Sequence, residues 1–103
     1  MAMSASEVTY LQLNTSAIAD SVSNSTATFN NRTLATPPSG FGSLSTRDFE
    51  VYLNNRRIPN TYVTSVTQNG LDIKVTVNVA GFLDITGAIF ENDDEVLLVG
   101  KFT

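Results

Sequence analysis

Residues 71–79, "LDIKVTVNV", place an apolar side chain at every odd position and a polar one at every even position. A helix cannot gather that pattern on one face, because its stripe repeats every 3.6 residues. A strand can, since successive side chains point to opposite faces. Nine residues would run roughly 30 Å, enough to cross a small sheet. A one-residue slip would turn five apolar side chains to water, so burial fixes the register. Asn69 and Gly70 stand directly before this run and predict a type I′ hairpin turn. The partner strand is "YVTSVT", residues 62–67, rich in β-branched side chains.

The neighbouring segments extend the same reading. Phe49, Val51 and Leu53 alternate with Asp48, Glu50 and Tyr52, which predicts a second half-buried strand. It stops at Asn54 and Asn55, which tolerate left-handed backbone, and Pro59 cannot donate to a central ladder. Residues 54–60 therefore form a turn or edge bulge from which Arg56 and Arg57 project. Such cations either discourage edge-to-edge pairing or meet carboxylates on a neighbouring subunit. Residues 80–95 are too long for a tight turn and are expected to cross between sheets or to hold one short strand. Residues 96–99 are four consecutive apolar side chains, expected in a strand covered on both faces. No window carries a helical stripe. The expected fold is all-β, a small antiparallel β-sandwich or partly open barrel of five to seven strands.

The first part of the chain reads differently. Residues 7–13, "EVTYLQL", predict a strand, but 13 of the 33 residues from 14 to 46 are Ser or Thr. Six large apolar residues are too few there to offset about 1–2 kcal/mol of backbone entropy per residue. Pro37, Pro38, Gly40 and Gly42 break any regular element. The expectation is one domain made of an N-terminal strand and extended arm, residues 1–46, and a sandwich core, residues 47–103. Ordinary strands joined by long loops are the alternative. In an assembled state Ile18, Val22, Phe29 and Phe41 would be buried against neighbouring subunits, which makes them, with Arg56 and Arg57, the candidate interface residues.

Composition bounds the chemistry. With no cysteine and no histidine among 103 residues, a disulfide framework, a thiolate zinc site and a Ser-His-Asp triad are all excluded. The expectation is a non-enzymatic chain with no catalytic residue, no metal and no cofactor. Net charge is −4, which disfavours a nucleic-acid partner, and no stretch has the roughly 18 apolar residues of a membrane span. The first ten residues lack the basic and apolar regions of a signal peptide. The sequons at Asn14, Asn24 and Asn31 then read as by-products of an Asn/Ser/Thr-rich composition. "ENDDE", residues 91–95, gathers four carboxylates without the alternating spacing and central glycine of an EF-hand, and reads as a solvated turn.

"VYLNNRRIPNTYVTSVTQNGLDIKVTVN" followed by "DDEVLLVGKF" resembles a module recurrent in tailed-bacteriophage virion proteins, including those of cyanobacterial phages. That module has a strand ending in "vyvNG", an apolar-Pro step, a tyrosine and hairpin, and a closing "GDeIxVxG". Residues 51–55, 58–62 and 93–100 match these elements in turn. The chain carries Asn54-Asn55 where the module has Asn-Gly, and Asp93-Asp94 where it has Gly-Asp. The resemblance spans residues 48–102. It implies a structural component located in the virion, such as a head decoration, neck, tail or baseplate protein. Its partners would be other virion proteins and further copies of itself, with neither nucleic acid nor membrane. A receptor- or carbohydrate-binding sandwich is the alternative.

Overall fold

The computed structural model describes residues 14–37, 39, 40 and 42–103. Among them, eight strands form two four-stranded antiparallel sheets packed together as a small all-β sandwich. They are β1 (Asn14–Ile18), β2 (Ser21–Ser23), β3 (Thr26–Phe29), β4 (Glu50–Leu53), β5 (Arg56–Ile58), β6 (Val63–Asn69), β7 (Asp72–Val77) and β8 (Val96–Lys101). Sheet one has the order β1-β8-β4-β5 and sheet two the order β2-β3-β7-β6. Among the described residues one short α-helix, α1 (Val79–Leu83), begins the return from β7 to β8.

Alternation decides what enters the core. Ile73, Val75 and Val77 of β7 are buried while Asp72, Lys74 and Thr76 point out. Val96, Leu98 and Gly100 of β8 are likewise buried, with Leu97, Val99 and Lys101 on the far side. Burying each such aliphatic side chain stabilises the fold by about 1.5–3 kcal/mol. Gly100 is required by crowding: a Cβ built there would lie 2.0 Å from the Phe49 ring. β8 is therefore buried on one face and half-covered on the other.

The hairpin of β6 and β7 forms one residue further along than the sequence suggests. Asn69 pairs with Asp72, so the central residues are Gly70 and Leu71, and Gly70 carries the positive φ of 63°. Glycine at the first central position is the type II′ pattern, which relieves Asn69 of a left-handed backbone. Leu71 is left in the turn, 71% exposed, and Val79 caps the other end from within α1. The nine-residue run thus yields a six-residue strand. Asn54 and Asn55 do form a two-residue turn with φ of 49° and 70°, the type I′ signature, and Arg56 and Arg57 lie in the edge strand β5 that follows.

The larger correction concerns the expected arm. Residues 14–35 are built into the sandwich, and no boundary at residue 47 separates them from the core. β1 pairs with β8 from Asn14↔Lys101 to Ile18↔Leu97, and β3 pairs with β7 from Thr26↔Thr76 to Phe29↔Ile73. The chain passes from one sheet to the other at Ala19 and Asp20, whose N–H groups donate to Val96 O and Thr28 O. Ile18 and Val22 therefore sit on strands. The physical reason is that Ala17 and Ala27, at 6% and 0% exposure, fill inward positions that a count of large apolar residues overlooks. These strands raise the total above the expected five to seven. The strand expected over residues 7–13 lies outside the described residues.

Candidate interaction surface

The two outer faces of the sandwich differ in chemistry. On sheet one the ladders bring Ile18, Leu97, Tyr52 and Arg57 into one cross-strand row, with Ser16, Val99 and Glu50 in the next. Ile18 is 55% exposed, and Leu97, Val99 and Tyr52 are half-buried on this solvent side. An apolar centre with a tyrosine and a flanking arginine has the composition enriched at the centre of protein interfaces. Arg57 is held over this face by Glu50, Nε to Oε1 3.6 Å, in an exposed pair that contributes about 0–1 kcal/mol.

Arg56 follows the strand alternation and points to the opposite side of β5. Its guanidinium lies 5.1 Å from the centroid of the Phe82 ring, and Phe82 packs against Tyr62 with centroids 6.2 Å apart. An exposed cation over such a half-buried ring contributes about 0.5–1 kcal/mol. Phe82 is delivered by α1, which Asn78 caps by accepting from Gly81 N–H and which ends at Asp84 in left-handed backbone. The two arginines are thus not a paired cation site. Each has its own neighbour.

The acidic turn is organised from within. Asp94 accepts from Glu91 N–H through Oδ2 and from Asn54 Nδ2 through Oδ1, while Asn54 Oδ1 accepts from Glu95 N–H. The Glu91, Asp93 and Asp94 carboxylates come within 4.8 Å of one another. These bonds account for the cluster as a turn that joins the β4–β5 loop to the start of β8.

Of the interface residues expected from sequence, Ile18 and Arg57 share the outer row of sheet one and Arg56 occupies the β5 edge. Val22 is half-buried against the core from the edge strand β2. Phe29 is a correction: at 0% exposure it belongs to the chain's own core, because β3 points it inward beside Ile73. Phe41 lies outside the described residues. Leu97 is hidden in the sequence because it sits in a run of four apolar side chains that reads as core, whereas Tyr52 shares the outward face with Glu50 as the alternation of residues 48–53 predicts.

Sheet two presents hydroxyls instead. A shallow depression of about 450 Å³ is lined by Ser23, Asn24, Ser25, Thr26, Thr28, Thr67, Lys74 and Thr76. No helix among the described residues is long and apolar enough to cross a membrane. Comparison with protein-family models, characterised proteins and solved structures finds no match to this chain.

Proposed function

We propose that the chain is a non-enzymatic structural component of a tailed-phage particle and acts through subunit–subunit contacts. The resemblance of residues 48–102 supplies the setting. The observation that carries the contact reading is the apolar row on the outside of sheet one, Ile18, Leu97 and Tyr52, ending at Arg57. A neighbouring virion protein or a second copy that covered this row would remove Ile18 and the half-exposed faces of Leu97 and Tyr52 from water. Arg57 would then stand at the rim to meet a carboxylate.

The test is Ile18→Asp alongside Arg56→Ala/Arg57→Ala. Ile18→Asp falls on an exposed position and should leave stability within about 0.5 kcal/mol of the parent, while the arginine pair, which loses two surface contacts, should cost at most about 2 kcal/mol. Size exclusion and electron microscopy should show loss of rings, trimers or filaments for Ile18→Asp and weaker assembly for the arginine pair. Assembly untouched by both variants would overturn the reading.

A receptor- or carbohydrate-binding role is the second reading, and the hydroxyl-lined depression on sheet two favours it. Six hydroxyls, the Asn24 amide and the Lys74 ammonium line one concave surface. Donors and acceptors so arranged suit a polyhydroxylated or acidic ligand. A glycan array with parent and Lys74→Ala protein tests it: binding lost in the variant supports this reading, and no binding by the parent removes it.

A further inference from the structure

The four sheet edges are not equally protected. Natural edges are blunted by shortness, by charge, by proline or by a covering element. β5 is three residues long, carries Arg56 and Arg57 and is followed by Pro59; β2 is also three residues long. β1 has five residues and leads back into residues outside the described set. β6 differs from all of them. It is seven residues long, "VTSVTQN", with no charged side chain and no proline. Among the described residues, no backbone group of residues 65–69 hydrogen-bonds outside the β6–β7 ladder. Its beginning is modified by a register shift between Val63 and Ser65, where Thr64 Oγ1 donates to Thr76 O, and the turn Thr46–Asp48 packs beside the strand. Residues 65–69 remain a regular, neutral edge.

We infer that residues 65–69 of β6 pair antiparallel with the same residues of a second copy, joining the two copies of sheet two into one continuous eight-stranded sheet. The occupant follows from what the edge offers. A two-fold axis at Thr67 sets Thr67 against Thr67, Val66 against Gln68 and Ser65 against Asn69. No like charges meet, and threonine and serine pairs across strands are favourable. The same operation at β5, centred on Arg57, would set Arg57 against Arg57 and repel. Sheet alternation keeps Ser65, Thr67 and Asn69 of both copies on the hydroxyl face, so the outer surfaces run together without a step. The inference deepens the assembly reading and rests on it for its biological setting, while its geometry involves a different surface from the Ile18 row.

The absence of cysteine makes a single introduced thiol a site-specific probe. Opposed residues in an antiparallel pair have Cα atoms about 4.5–5.5 Å apart, inside the range a disulfide spans. Full-length Thr67→Cys should therefore form a disulfide-linked dimer under mild oxidation, whereas Glu50→Cys, on the outside of sheet one, should not. Thr67→Lys places like charges at the axis and should weaken dimerisation in sedimentation by about fivefold without moving the melting temperature. A chain that stays monomeric to millimolar concentration, or a dimer indifferent to Thr67→Lys, overturns the inference. So does a Thr67→Cys dimer that appears only after residues 1–13 are deleted, since the edge would then be covered within one copy. Loss of assembly in Ile18→Asp with disulfide trapping at position 67 intact would separate failure of the Ile18 surface from failure of this one.

Discussion

Phe29→Ala distinguishes a loose arm from a built-in strand. Phe29 is fully buried in β3, opposite Ile73, within the cluster that includes Val75, Val96, Leu98 and Phe102. Truncating a core phenylalanine costs about 3–5 kcal/mol, from lost transfer energy and the cavity left behind. A domain of this size has about 5–15 kcal/mol in all, so the variant should lose a large fraction of its stability. With an unfolding entropy of about 2.1 cal/mol/K per residue, the 103 residues give roughly 0.22 kcal/mol/K, so the melting temperature should fall by about 14–23 °C. The internal control is Ile18→Ala in the same segment: at 55% exposure it should stay within about 0.5 kcal/mol of the parent. The assay is urea unfolding followed by circular dichroism, with unchanged slope and a shifted midpoint for Phe29→Ala. If Phe29→Ala costs less than about 1 kcal/mol, or no more than Ile18→Ala, then β3 is not part of the cooperative core and the reasoning fails.

Gly100→Ala pushes a methyl group into the Phe49 ring and should cost about 1–3 kcal/mol; Phe49→Leu in the same chain should recover part of that loss in thermal melts. Gln68→Ala removes a clasp in which Nε2 donates toward the carbonyls of Arg32, Gly70 and Asp72 and Oε1 accepts from Leu34 N–H. Hydrogen exchange should then quicken at Leu34 and Ala35 while β7 amides keep their protection, and a uniform change across the chain would count against a local clasp.

β7 was legible because one buried face forces strict alternation, and no other element buries Ile73, Val75 and Val77 together. The N-terminal strands were opaque for the opposite reason. "TATF" in β3 alternates as cleanly as β7 does, but one of its two inward residues is Ala27, which hydropathy scarcely separates from the serines and threonines around it, and Phe29 alone marks the buried face. Only the partner strand reveals that Ala27 is in a core. The candidate surface shows the same limit. Ile18 and Arg57 could be named singly, while their shared row with Leu97 and Tyr52 exists only through the pairing of β1 and β4 with β8, and no local pattern encodes that register. The hairpin turn was misplaced by one residue because Asn-Gly fits two registers, and strand pairing decided between them.

The pairing of β1 with β8 also fixes when this chain can fold. Asn14 and Lys101 are direct partners, so a growing polypeptide exposes β1 long before its ladder exists. At about 5–20 residues per second, the 78 residues between Ile18 and Leu97 take roughly 4–16 s to synthesise. Through that interval β3 and the β6–β7 hairpin can come together, but sheet one lacks its central strand. Contacts so distant in sequence also slow refolding, since loop closure must precede any stabilisation from them. A chain with this topology completes its sandwich after translation has passed residue 101, and until then the uncharged β6 edge is open to whichever neighbour is nearest.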